Sequence, residues 1–155
     1  MSENVKPIPE GYEGVTPYLI CKNAEAAIEF YKKAFGAVEL FRIGEPGMVG
    51  HAEMKIGNAI IMLADEHPQM QFTGPATRGG TTVHLHVYLK DVDAQVAKAL
   101  KAGARLVRPI KDQFYGDRLG TIEDPFGHVW HLATRVEDLS KAEMKKRAAK
   151  AAAGE

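Results

Sequence analysis

Two histidines and a tyrosine alternate through the segment TVHLHVYL, with His84, His86 and Tyr88 each two residues apart. Side chains in an extended strand alternate sides, so these three share one face while Val83, Leu85, Val87 and Leu89 share the other. The aliphatic set suits a face covered by a helix. A face with two imidazoles and a phenol is no ordinary core, and it reads as a pocket lining. A third imidazole, His131, falls in the segment VWHLAT. There Trp130 and Leu132 take the helix side, and Val129, His131 and Ala133 take the pocket side. Imidazoles are the common ligands of zinc, nickel and iron. They serve equally as neutral hydrogen-bonding walls.

The first half of the chain offers a comparable set: Thr16, Tyr18 and Ile20, with Met62 and Ala64. Tyr18, Tyr88, Phe114, Tyr115 and Met62 make an aromatic and thioether lining suited to flat apolar or aromatic ligands. Ordinary packing between strands is the competing reading. In the segment FYGDR, Arg118 has the chemistry to clamp a carboxylate or phosphate, or to fix the loop by pairing with Asp117. His51, Glu53 and Lys55 share one strand face that is either pocket rim or solvent. His128 is expected to cap a turn, and Cys21 to be buried and inert. No glycine-rich phosphate cradle and no serine or cysteine nucleophile set can be assembled.

These residues sit in a chain of 155 with zero formal net charge and a pI near 7.0. That balance gives no field to attract nucleic acid or an anionic membrane, so neither is expected as a partner. One cysteine excludes an internal disulfide and fits the cytoplasm. The N-terminal segment lacks the apolar core of a signal peptide, and no segment has the apolar length to span a bilayer.

The elements that position the candidate residues come in two rounds. Residues 1–13 read as a flexible arm. A strand over 15–21 begins near an edge because of Pro17. Asn23 caps a helix in which Ala27, Ile28, Tyr31 and Phe35 recur at helical spacing, and Gly36 stops it. Strands follow over 37–43, 51–56 and 59–64, with 44–50 as a turn. Residues 66–80 form a linker rich in proline, glycine and glutamine. The pattern then restarts: a strand over 82–89, a helix over 91–102 stopped by Gly103, and strands over 104–109, 119–123 and 129–134. A loop is expected over 110–118 and a turn at Asp124-Pro125-Phe126-Gly127. Ser140 and Glu143 form a capping box opening a C-terminal helix and tail over 139–155. The expected fold is α+β: one domain over 14–138, built from two tandem βαβββ modules (14–65 and 81–138) that form a curved mixed sheet.

The segments NAEAAIEFYKKAFGA, HAEMKIGNAIIMLADE and YGDRLGTIEDPFGHVWHLATRVED, with the duplicated layout, resemble the vicinal oxygen chelate superfamily. That superfamily holds glyoxalase I, extradiol dioxygenases, fosfomycin-resistance enzymes and bleomycin-binding proteins. The resemblance spans roughly residues 14–138 and leans toward the PhnB-like branch, often labelled 3-demethylubiquinone-methyltransferase-like. It implies a homodimer and a pocket fed by the first and last strands of each module. The metal-ligand positions it implies fall on Thr16, Met62, His84 and His131. Thr16 and Met62 are not usual ligands of such ions, so the first module has lost both positions while the second keeps two.

The first and last strands of a module are neighbours in that fold, which brings His131 across from His84 or His86. The three could then hold a divalent ion, with zinc, nickel, iron and manganese as candidates; no cofactor is fixed by the residues. The expected function is a small-molecule binding protein taking an apolar or aromatic ligand in a pocket of Thr16, Tyr18, Met62, His84, His86, Tyr88, Tyr115, Arg118 and His131. The alternative is a metal-dependent lyase, isomerase or dioxygenase using the second-module histidines, completed by a carboxylate such as Glu53 or Glu123. A third reading is a structural or regulatory dimer with a vestigial pocket.

Overall fold

The computed structural model describes residues 4–154. The chain divides between Arg78 and Gly79 into two compact units, each with a four-stranded mixed sheet. Among the described residues they carry four α-helices, so the fold is α+β.

In the first unit, β1 (Tyr18–Cys21), α1 (Ala24–Phe35), β2 (Val38–Glu45), β3 (Met48–Ile56) and β4 (Ala59–Asp65) follow in turn. The sheet order is β1-β4-β3-β2, with β1 parallel to β4 and the other pairs antiparallel. Asn23 caps α1 by accepting from the Ala26 N–H, and Gly36 ends it in the left-handed region. Helix α1 buries Ala24, Ala27, Ile28, Tyr31 and Ala34 against one sheet face, which presents Leu19, Cys21, Ala52, Met54 and Leu63. The opposite face carries Tyr18, Met62 and Glu53, which are in register across three strands.

Strands β2 and β3 run closer to their turn than the spacing predicts. The expected turn over 44–50 shrinks to Pro46-Gly47, and pairing continues to Glu45 and Met48. A bulge at Ile43/Gly44 makes this reach possible. Gly44 has φ 151°, and a Cβ there would stand 2.1 Å from the Met48 carbonyl oxygen. Only glycine permits that approach.

Residues 4–13 lead into this unit, where the Tyr12 hydroxyl donates to Glu53. Residues 66–78 are also ordered locally. They include a short 3₁₀ turn (Pro68–Met70) and α2 (Pro75–Arg78). The Glu66 carboxylate accepts from the Thr77 hydroxyl and then from the Gly74 N–H, and these bonds lower its pKa.

The second unit repeats the plan with β5 (His84–Tyr88), α3 (Val92–Lys101), β6 (Arg105–Asp112), β7 (Asp117–Glu123) and β8 (Val129–Arg135), followed by α4 (Lys141–Ala152). Its order is β5-β8-β7-β6, again with the first and last strands parallel. The duplication extends to detail. Asp65 accepts from the N–H of Ala24 at the start of α1, and Thr134 accepts from the N–H of Val92 at the start of α3. Trp130, Leu132 and Ile122 pack with Val92, Val96 and Ala99 of α3.

The expected loop over 110–118 contracts to residues 113–116, because β6 continues past Pro109 to Asp112. Proline is tolerated because β6 is the edge strand and its ladder is irregular between Arg108 and Lys111. The turn at 124–127 is organised by the Asp124 carboxylate. It accepts from the N–H groups of Phe126 and His128 and from the Trp130 indole. Ser140 caps α4 as the capping box predicts, accepting from the Glu143 N–H.

Candidate functional site

The ladder of the second unit aligns four side chains across four strands. Arg108 pairs with Thr121, Thr121 with His131, and His131 with His86. Cross-strand partners share a face, so these residues form one row opposite α3. His84 flanks the row. Its Nδ1 lies 2.9 Å from His131 Nε2, and His131 Nδ1 lies 2.9 Å from the Thr121 hydroxyl. Both nitrogens of His131 are therefore engaged. Its pKa is lowered, first by burial and then by His84, His86 and Arg108, which favours the neutral ring. A neutral imidazole has one N–H, so it donates on one side and accepts on the other.

His86 lies between Tyr88 of its own strand and His131 of β8, with ring centroids 4.8 Å and 6.1 Å away. The Tyr88 hydroxyl donates to Asp117 Oδ2 at 2.7 Å, and this bond to a carboxylate raises the phenol's pKa. A cleft of about 280 Å³ opens beside the row. His86 and His131 form its sheet side, Arg108, Gln113 and Tyr115 its edge-strand side, and Leu119 an apolar wall. Burial raises the pKa of the Tyr115 phenol.

The corresponding face of the first unit also carries a polar chain. His51 Nδ1 lies 2.7 Å from the Tyr18 hydroxyl, and His51 Nε2 lies 3.0 Å from Glu53. Glu53 also accepts from Tyr12, and the two bonds lower its pKa. His51 and Glu53 are thus part of a half-buried network rather than a solvated rim. Met62 lies in register between Tyr18 and Glu53, and Thr16 precedes β1 and is half-buried.

Arg118 stands elsewhere. Neighbours on a strand point to opposite faces, so Asp117 and Arg118 cannot pair across a regular strand. Arg118 forms a bidentate pair with Asp93 of α3, at 2.7 and 2.9 Å, and also reaches Asp112. That is the helix face. The expected pocket role of Arg118 and its expected pair with Asp117 both give way to this arrangement.

A metal site of three histidines needs three nitrogens aimed at one point roughly 2.0–2.1 Å away. Here His84 and His131 turn nitrogens to each other, and His86 stacks instead of converging. Glu123 is drawn to Arg105, and Glu53 to Tyr12 and His51. Among the described residues, no three His, Cys, Asp or Glu side chains group closely enough to hold an ion. The residues present do not fit a divalent cation, so no chemistry is derived through one.

Arg108, Gln113, Leu119 and Thr121 are not signalled by the sequence pattern. Ending β6 at Pro109 hid the β6–β7 hairpin. Continuing the hairpin would have placed Arg108 beside Thr121, on the histidine face.

Comparison with known proteins agrees with this architecture. The model of the Glyoxalase/Bleomycin resistance protein/Dioxygenase superfamily matches residues 15–142, and the chain belongs to that family. Among its relatives is the uncharacterized protein Rv0887c of Mycobacterium tuberculosis. It is 41% identical over 148 residues, covering 93% of this chain and 84% of that one. An Arabidopsis thaliana gene product, At5g48480, has a solved structure with a TM-score of 0.65 at 28% identity. The match covers 79% of this chain and 98% of that one. TioX from Micromonospora sp. ML1 shares the fold with a TM-score of 0.63 at 24% identity, over 83% of this chain and 100% of that one.

Proposed function

We propose that this chain is a small-molecule binding protein of the PhnB-like branch, acting as a homodimer in the cytoplasm and taking an apolar or aromatic ligand. The observation that carries the reading is the cleft beside His86, Tyr115, Leu119 and His131. Its volume suits a ligand of one or two rings, at the small end of ordinary ligand sites. Its polar walls are held in place by the His84–His131–Thr121 hydrogen bonds, so they can orient a ligand without rearranging. Histidines turned toward each other favour a binding wall over a metal centre.

Support for self-association comes from β2, whose Val38, Leu40, Phe41 and Ile43 are all exposed on an edge strand. An apolar, unpaired edge is a surface that natural proteins cover. The cytoplasmic assignment is supported by the single, buried cysteine.

Protein purified without chelator should be analysed together by elemental and native mass spectrometry. The reading expects metal far below one equivalent and a dimer that binds aromatic fragments. Stoichiometric zinc, nickel, iron or manganese, lost in His84→Ala or His131→Ala, would overturn the metal-free reading and favour a metal-dependent enzyme.

A further inference from the structure

All seven arginines of the chain lie among the described residues, and six are engaged. Arg42, Arg105, Arg118, Arg135 and Arg147 form ion pairs with carboxylates, and Arg78 donates to the Thr73 hydroxyl. Arg108 alone has neither an ion pair nor a hydrogen bond among the described residues, and it lines the cleft. No aspartate or glutamate lines that cleft.

The nearest acidic groups on this face are already used. Glu123 binds Arg105, and Asp117 accepts from Tyr88. Lys111, one row along, adds a second positive charge without an ion pair among the described residues. A guanidinium without a counter-charge beside an apolar wall is free to receive a planar anion.

We propose that Arg108 forms a carboxylate subsite at this cleft, so that the ligand is an apolar or aromatic carboxylate. The inference rests on the small-molecule binding reading and names its ligand class. The planar guanidinium matches a carboxylate through two parallel hydrogen bonds. The apolar part of the ligand then lies along Leu119 and Tyr115, toward His86. Neutral His131 and Gln113 supply polar contacts without adding charge. The side chain of Gln113 is steadied by its own bond to the Lys111 carbonyl.

The test is an NMR titration of the intact protein with benzoate, benzamide and acetate. It follows the Arg108 Nε–H signal and the ring signals of His86 and His131. Benzoate is expected to bind about tenfold more tightly than benzamide, the scale of one charge-assisted hydrogen-bonded contact. Arg108→Gln should erase that preference, and Arg108→Lys should keep part of it. Arg108 is exposed on an edge strand, so both variants are expected to fold. Acetate alone should move the Arg108 signal.

Equal affinity for benzoate and benzamide would overturn the carboxylate subsite and leave the binding reading standing. So would a preference that survives in Arg108→Gln. An Arg108 signal unmoved by both benzoate and acetate would also overturn the subsite. Movement with acetate, but no effect of benzoate or benzamide on His86 and His131, would keep the subsite and overturn the aromatic-binding reading.

Discussion

His84 Nδ1 and the Nε2 of half-buried His131 face each other at 2.9 Å in the candidate site. Burial first, and then the electrostatic influence of His84, His86 and Arg108, lower the pKa of His131 below its ordinary 6.5. The unfolded chain therefore binds the His131 proton more readily than the folded chain does. The stability from a neutral His131 is present above about pH 6.5 and is lost as pH falls through the lowered folded pKa. His84→Asn should raise the His131 pKa by removing the second of its lowering causes. Imidazole NMR titration of both proteins checks this, and an unchanged or lower value would refute it.

Asp124 holds the turn before β8 through three accepted hydrogen bonds, and it is only 3% exposed. Asp124→Ala would remove the acceptor of all three bonds from a buried turn. The expected cost is about 3 kcal/mol or more. Urea denaturation reads it directly, and a change below about 1 kcal/mol would show that water or a shifted side chain replaces the carboxylate.

Tyr12 is the leading cause of the lowered Glu53 pKa, ahead of His51. Tyr12→Phe should therefore return Glu53 toward its ordinary value. The stability supplied by ionised Glu53 is present above that ordinary value and disappears as pH falls through the depressed folded one. Carboxyl carbon shifts across an acid titration measure it. An unchanged Glu53 titration would mean that the N-terminal segment does not hold this contact in solution.

Arg118 and Arg108 lie close in sequence but on different faces of the second sheet. Arg118→Gln breaks solvent-exposed pairs with Asp93 and Asp112, so it should change the unfolding midpoint little and leave aromatic ligand binding intact. Parallel calorimetric titrations of the two glutamine variants separate the faces. Loss of binding in Arg118→Gln would contradict the assignment of Arg118 to the helix face.

Strand alternation was enough to put His84, His86, Tyr88 and His131 on one face, and the repeated helix-stop glycines were enough to suggest two modules. Both signals are local and periodic. The cleft itself was less legible, because it depends on the β6–β7 hairpin. Pro109 looked like a strand end, yet an edge strand with an irregular ladder tolerates it. Arg108 consequently stayed outside the site, and Arg118 was placed within it. The His51–Glu53 chain was hidden for a related reason. Its partners Tyr12 and Tyr18 lie some forty and thirty residues away, beyond any local pattern.

The central claim is that the histidine face of the second unit binds a small molecule without a metal. The most direct measurement is an NMR titration of metal-free protein with aromatic fragments, read at the rings of His86, Tyr115 and His131. Saturable shifts confined to these three residues and their cleft neighbours, lost in His86→Ala, are the predicted result. Fragments that act only after a divalent ion is added, or that shift residues away from this cleft, would contradict it.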